Sequence, residues 1–360
     1  MRYCNQAGTS WPKPRQVAEA MTRVFATTPD EVTDVLASAH ATIAARLGLT
    51  RGGRLWLASG CTSALQIAVT ELDYEPSQAI VTSHLEHHAL LRPVSEVAKH
   101  RDVRHVTLPW SAHEPASLDA LRATLRGGGV RLVAMSGASN VTGQRLPVAE
   151  ATALAHEHDA LVLLDAAQVA GIDRDLAATG ADMIAFAGHK GTLGPHGIGG
   201  LWVADHVRFS SCAAVCEVGR QPSAAGPGDC DFGSVNVAAA AGLAAGLSWL
   251  ADHDGAWDVA HACADELRAQ LRSRDDVRTT CALPSQPATP TVSFVPTRLP
   301  LAHAQAHFAR HGVVVRAGRH CAPSALQAVG EDEGTVRASF GPFNEPDDVA
   351  RILAALDDAR

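Results

Sequence analysis

The chain has 360 residues, 46% of them hydrophobic, and a formal net charge of −8. That is long enough for two lobes around a large core; no apolar run is long enough to span a bilayer, and the lack of a basic block argues against a nucleic-acid partner. No charged-then-apolar leader precedes residue 30, which predicts a cytoplasmic protein whose eight cysteines (4, 61, 212, 216, 230, 263, 281 and 321) are free thiols rather than disulfides. The spacing of Cys212, Cys216 and Cys230 is poor for zinc, so no metal site is expected.

Residues 1–14, with Pro12 and Pro14, read as an extended arm. Gln16–Thr27 and Asp30–Leu47 are patterned as helices, with Asp30 placed to cap the second and Gly48 to stop it. Arg54–Ala58 is a short strand, followed by Ser59-Gly60-Cys61-Thr62-Ser63 and a helix from Ala64 to about Leu72. A small-residue turn that opens a helix aims N–H groups along the helix dipole and suits an anion. An ordinary Ser or Thr cap has the same appearance. Ala79–Ser83 is the next strand and leads into His84-Leu85-Glu86-His87-His88. Clustered histidines can ligate a metal, but no matched acid–histidine set stands elsewhere. An imidazole can instead stack on an aromatic ring and relay protons. Val103–Leu108 and Arg131–Met135 are strands, separated by a helix over Ser117–Arg126. Ser139-Asn140 follows the second strand, where a turn-forming Asn is also common. Pro147 opens a helix through His158.

Leu161–Gly200 reads as strand, turn, short helix, strand and Gly-rich loop. Leu161–Leu164 and Met183–Phe186 are short apolar runs suited to buried strands, and they are followed by Asp165 and by His189-Lys190. If both strands share a sheet, Asp165 and Lys190 emerge at one edge, where open α/β sheets bind ligands. The chain has only three lysines, at 13, 99 and 190, and otherwise uses arginine. A lysine kept here fits a need for an amine that can lose its proton and form a Schiff base; a surface lysine is the plain alternative. Residues 205–230 are small, polar and turn-rich, as in a loop over the site. Val237–Leu250 is an Ala-rich apolar helix. Trp257–Arg272 is an amphipathic helix. A strand over Thr291–Val295, a helix over Leu301–His311 stopped by Gly312, a strand Val313–Val315 carrying Arg316, a strand Thr335–Ser339 and a helix from Pro346 to about Leu356 complete an α+β lobe. The expected division is an arm at 1–14, a large domain at 15–250 and a small domain at 251–360.

Ordered blocks along nearly the whole chain resemble one family. They are NQAGTSWPKP (5–14), SGCTSALQ (59–66), HLEHHALLRP (84–93), SNVTG (139–143), LLDAAQ (163–168) with AGHKGTLGPHGIGGLWV (187–203), DFGSVNVAAAAGLAAGL (231–247) and VVVRAGRHCAP (313–323). Together they are similar to the class V aminotransferase and cysteine desulfurase family of pyridoxal-phosphate enzymes. The resemblance implies an α/β fold of type I, a mainly parallel seven-stranded sheet between helices with a smaller α+β C-terminal domain. It implies pyridoxal 5′-phosphate on Lys190, its phosphate on Gly60, Cys61, Thr62 and His189, and His87 stacked on its ring. It further implies Asp165 at the pyridine nitrogen, Gln168 at the ring oxygen, and Asn140 at the cofactor hydroxyl and substrate carboxylate. His196, in the GPHGIGG turn, is assigned to loop structure. Ser234 is expected to reach the phosphate of a second subunit, which makes the protein a homodimer.

On the substrate side, Arg337 is expected to grip an amino-acid carboxylate, with Arg316 as a second contact. Cys321 is expected to take sulfur from cysteine as a persulfide and to pass it to a sulfur-acceptor protein; an idle thiol in a loop framework is the alternative. Ala187 stands where many relatives carry a phosphate-binding Ser, and 212–230 also departs from the pattern. These departures keep three other readings open: a C–S lyase, a decarboxylating or deaminating enzyme acting on a cysteine S-conjugate in secondary metabolism, and a plain aminotransferase.

Overall fold

The computed structural model describes residues 1–110, 117–209, 235–282 and 284–359. In chain order, β1 (Arg2–Tyr3) precedes helices α1 (Arg15–Phe25) and α2 (Pro29–Arg46). Strand–helix pairs follow: β2 (Gly53–Ala58) with α3 (Cys61–Thr70), β3 (Ala79–Ser83) with α4 (His88–His100), β4 (Arg104–Leu108) with α5 (Asp119–Arg126), and β5 (Val130–Ser136) with α6 (Val148–His156). Then come β6 (Leu161–Asp165), a 3-10 turn at Leu176–Thr179, β7 (Met183–Ala187), β8 (Gly199–Ala204) and α7 (Val237–Asp252). β2 to β8 form one seven-stranded sheet in the order β2-β8-β7-β6-β5-β3-β4. β8 alone runs against its neighbours. β3, β6 and β7 read as near-continuous apolar runs because helices cover both faces of a parallel sheet.

The rest of the chain forms α8 (Asp258–Arg272), β9 (Val277–Thr279), β10 (Thr291–Pro296), α9 (Leu301–Arg310), β11 (Val313–Val314), β12 (Arg316–Gly318), α10 (Pro323–Ala328), β13 (Thr335–Ser339) and α11 (Pro346–Asp357). Its antiparallel sheet has the order β12-β13-β10-β9. A second apolar core gathers Leu267, Phe294, Phe308, Phe340 and Ile352. Cys4 of the arm is buried in that core, and β1 pairs with β11. Ala322, Ala325 and Leu326 join the first core instead. The two cores therefore exchange segments from both ends of the chain.

Several local expectations are corrected. Thr28, not Asp30, caps α2, through a capping box with Glu31; Asp30 lies in the first turn, where its charge complements the dipole. α3 starts at Cys61, three residues before the expected Ala64. Residues 313–318 are two strands in two sheets, not one: β11 pairs with the arm, and β12, with Arg316, pairs with β13.

The Ala-rich helix α7 packs against the loop that carries Lys190. A Cβ on Gly246 would lie 2.7 Å from the Thr192 carbonyl oxygen, and one on Gly194 would lie 2.8 Å from Leu243 Cα. Only glycine allows backbone to approach backbone this closely. At the other side of the sheet edge, Glu86 is fully buried. It bonds Ser83 Oγ at 2.5 Å, Ser136 Oγ at 2.6 Å and Ser136 N–H at 2.8 Å, and so clamps the end of β3 to the end of β5.

Burial pushes the Glu86 carboxyl up to about 7, against the pull of the two serines. An unfolded glutamate titrates near ~4.3, so between these values the folded chain holds more protons. Stability contributed by this group is present at the acid end and is lost as pH rises through about 7. Comparing urea unfolding of the wild type with Glu86→Gln should show the wild type losing ~2–3 kcal/mol relative to the variant between about pH 5 and about pH 8. Parallel pH profiles of the two proteins would contradict this account.

Candidate active site

The carboxyl ends of β2, β3, β5, β6 and β7 open into a cavity of about 240 Å³. Its lining includes Gly60, Cys61 and Thr62 from the start of α3, His87 after β3, and Asn140 after β5. Asp165 and Gln168 line it from the end of β6, and His189 and Lys190 from the loop after β7. Nine residues selected from the sequence thus meet in one place. Parallel pairing of β6 and β7, with Asp165 opposite Ala185, sets the carboxylate and the Lys190 amine at the same edge.

Each side chain is held by its surroundings. Asp165 Oδ1 accepts the Ala167 N–H at 2.9 Å and the Cys61 thiol at 3.4 Å. The Cys61 side chain turns to Asp165, and its backbone N–H is what remains for an anion at the helix start. Burial and the nearby Asp165 push the Cys61 thiol well up, so it stays protonated. His87 caps α4, its Nδ1 accepting from Ala89 N–H at 3.0 Å. That bond leaves the proton of the neutral ring on Nε2. Burial, with Lys190 nearby, holds this imidazole down to about 4. Burial also lowers the Lys190 amine, opposed chiefly by Asp165. Gln168 Nε2 donates to the Ala7 carbonyl at 3.2 Å, tying the cavity wall to the arm.

The three residues expected on the substrate side are not among those that line this cavity. Arg337 is buried; its Nη1 donates to the Asn140 carbonyl at 2.8 Å and its Nη2 to Asn5 Oδ1 at 3.3 Å. Arg316 is exposed and stands opposite Arg337 in the β12–β13 register. Burial, together with Arg316, draws the Arg337 guanidinium down to about 10. Among the described residues neither arginine has a carboxylate partner. Cys321 is exposed on a loop where His320 and Cys321 both take left-handed backbone angles, φ 51° and 55°. The loop is pinned by His88 N–H on the Cys321 carbonyl at 2.9 Å and by Asn140 Nδ2 on the His320 carbonyl at 2.8 Å. Cys321 enters the electrostatic balance of both Lys190 and Arg337. Ser234 lies outside the described residues.

Three features went unread in the sequence. Glu86 is the buried clamp described above. Ser136 lines the cavity from the end of β5. His196 is not mere loop structure: it lines the cavity, and its ring stacks on His189 with centroids 4.2 Å apart. Its position within a Gly-Pro-His-Gly turn was the available signal.

Buried polar atoms without a protein partner include Asn140 Oδ1, His189 Nδ1, His320 Nδ1 and Arg337 Nε. Orphaned groups of this kind call for a ligand. The two on the wall, with the N–H groups opening α3, fit a polar aromatic group ending in an anion.

Residues 3–352 match the family model described as aminotransferase class-V. A probable cysteine desulfurase of Pseudomonas aeruginosa is 35% identical over 312 residues, 83% of this chain and 76% of that one. The Escherichia coli cysteine desulfurase CsdA is 31% identical over 296 residues, 79% of this chain and 72% of that one. The crystal structure of CsdA superposes with a TM-score of 0.86, covering 99% of this chain and 94% of that chain at 27% identity. The fold is that of pyridoxal-phosphate fold-type I, as expected. The chain belongs to the class-V aminotransferase family.

Proposed function

We propose that this protein removes sulfur from cysteine with pyridoxal 5′-phosphate as its cofactor. The observation that carries the reading is the convergence of a desolvated lysine and a buried carboxylate on one cavity, with the Cys321 loop pinned to its wall through Asn140. The similarity to cysteine desulfurases supports the substrate class, and the family's enzymes use pyridoxal phosphate. The cavity's orphaned Asn140 and His189 atoms fit that group.

When bound, the cofactor supplies an electron sink for the substrate Cα. Lys190 is the residue that holds it. Desolvation favours the neutral amine, which is nucleophilic and can take the Cα proton. Asp165, oriented by the Cys61 thiol and the Ala167 N–H, would stand at the ring nitrogen. His87 would stack on the ring, Gln168 and Asn140 would hydrogen-bond its oxygen, and Gly60, Cys61 and Thr62 would give backbone N–H groups to the phosphate with His189. Arg337 and Arg316 form a pair of like charges that a substrate carboxylate relieves, Arg337 bearing most of the contact.

Cys321 is the sulfur acceptor. Its thiolate bonds to the substrate sulfur as the Cβ–S bond breaks. The electron pair stays at Cβ and is protonated, which leaves alanine and an enzyme persulfide. The exposure of Cys321 suits onward transfer to an acceptor protein in the cytoplasm. The working unit in this reading is a homodimer, with Ser234 of each chain serving the other's phosphate site.

Borohydride reduction of the holoenzyme should fix the cofactor at position 190, and Lys190→Ala should show no label and no turnover. With L-cysteine, Cys321→Ala should lose alanine and persulfide formation at least ~100-fold while keeping the bound cofactor. Pyruvate and sulfide without alanine from the wild type would replace the desulfurase with a C–S lyase. Arg337→Ala should raise KM for cysteine about 10- to 100-fold, the worth of a charged hydrogen bond to a carboxylate; an unchanged KM would remove Arg337 from the substrate site.

A further inference from the structure

At the end of β7 the cavity wall offers no side-chain donor. Ala187, at the end of β7, lines the cavity and presents only a methyl group. His196 comes to the same lining from the turn before β8, its ring lying nearly parallel to that of His189, at 21°. Stacking two imidazoles without a shared anion has little to recommend it. The charged neighbours of His189 are Lys190, His196 and Lys13, all basic, and burial with these neighbours holds the His189 ring down to about 3. Among the described residues no carboxylate is hydrogen-bonded to either imidazole, and His189 Nδ1 is buried without a partner.

The arm determines which nitrogen of His196 is free. Thr9 Oγ1 lies 3.0 Å from the His189 carbonyl oxygen and 3.0 Å from His196 Nε2. A carbonyl can only accept, so the single hydroxyl proton of Thr9 goes there. Thr9 must then accept from His196, and Nε2 of His196 carries a proton. The Ser10 N–H at 2.8 Å and Ser10 Oγ at 3.2 Å hold the same carbonyl, so this geometry is braced. Nδ1 remains as the one nitrogen of His196 with no hydrogen bond among the described residues. It is the nitrogen through which the ring can share a proton with an anion.

We infer that His196 is a direct ligand of the cofactor phosphate, meeting it through Nδ1. It supplies the donor missing at Ala187, and Thr9 of the arm positions it. The inference rests on the cofactor reading above and assigns a residue that the sequence pattern had left to the loop. It also gives the arm a role: with His189 and His196 both tied to Thr9, an intact phosphate site requires the arm in place.

The test compares two ligands of the apoprotein by absorbance titration: pyridoxal 5′-phosphate and pyridoxal, which has the same ring and aldehyde but no phosphate. His196→Ala should weaken the phosphate form about 10-fold or more and leave pyridoxal binding unchanged, because a charge-assisted bond to an anion is lost. Thr9→Val, nearly isosteric, should shift the same ratio in the same direction by a smaller factor. Thermal melts of both apoproteins establish that they are folded; if His196→Ala does not fold, Thr9→Val decides alone. Equal weakening of both ligands, or no weakening of either, would overturn the inference and return His196 to loop structure. A wild type that binds neither ligand, and is not labelled at position 190, would instead bring down the cofactor reading beneath it.

Discussion

The structure depends on holding an amine and a carboxylate, both largely out of water, at the ends of two adjacent parallel strands. Neither charge is tolerable alone in such a place. Burial pulls the Lys190 amine down and Asp165 pulls it back. Asp165 in turn is satisfied by a backbone N–H and a thiol rather than by a second strong cation bonded to it. The β6–β7 pairing, the helix caps at the sheet edge and the glycine contacts of α7 all keep these two groups in register.

That arrangement is assembled from distant parts of the chain. The arm reaches the Lys190 loop through Thr9 and Ser10, yet its first residues belong to the second core. Arg337 hydrogen-bonds both Asn5 and the Asn140 carbonyl, so it joins the arm, the β5 loop and the antiparallel sheet. The Cys321 loop is pinned by His88 and Asn140, both from the cofactor side. Residues expected to meet the substrate therefore also hold the lobes together. Displacing the arm would cost hydrogen bonds at both ends of the cavity, which couples the order of the second core to the geometry of the site.

The sheet was legible because its strands are short apolar runs bounded by the residues that do chemistry. Ala79–Ser83 and Thr335–Ser339 appear with the expected bounds, and Asp165 and Lys190 fall at one edge as their positions after two such runs implied. What was misread has local causes. Asp30 and Thr28 are both good caps two residues apart, and only the reach of Glu31 decides between them. α4, over residues to which the sequence reading assigned no element, carries Pro93 in its interior, a residue that argues against a helix. The run Val313–Val315 looks like one strand; the change of partner from β1 to β13 depends on where the arm lies, and no window of sequence carries that.

The side chains that escaped notice share a different property: their meaning depends on a partner remote in sequence. Glu86 is an unremarked acid in a histidine-rich stretch until Ser136 arrives 50 residues later to close its clamp. Cys61 reads as part of an anion-binding turn until Asp165 is found beside its sulfur. His196 reads as loop until Thr9 fixes its proton and His189 lies against its face. In each case backbone geometry places the group, and a remote partner completes its surroundings. Residue type was readable from the chain; the burial that lowers the Lys190 amine and raises the Glu86 carboxyl and the Cys61 thiol was not, because it is made by segments far apart in sequence.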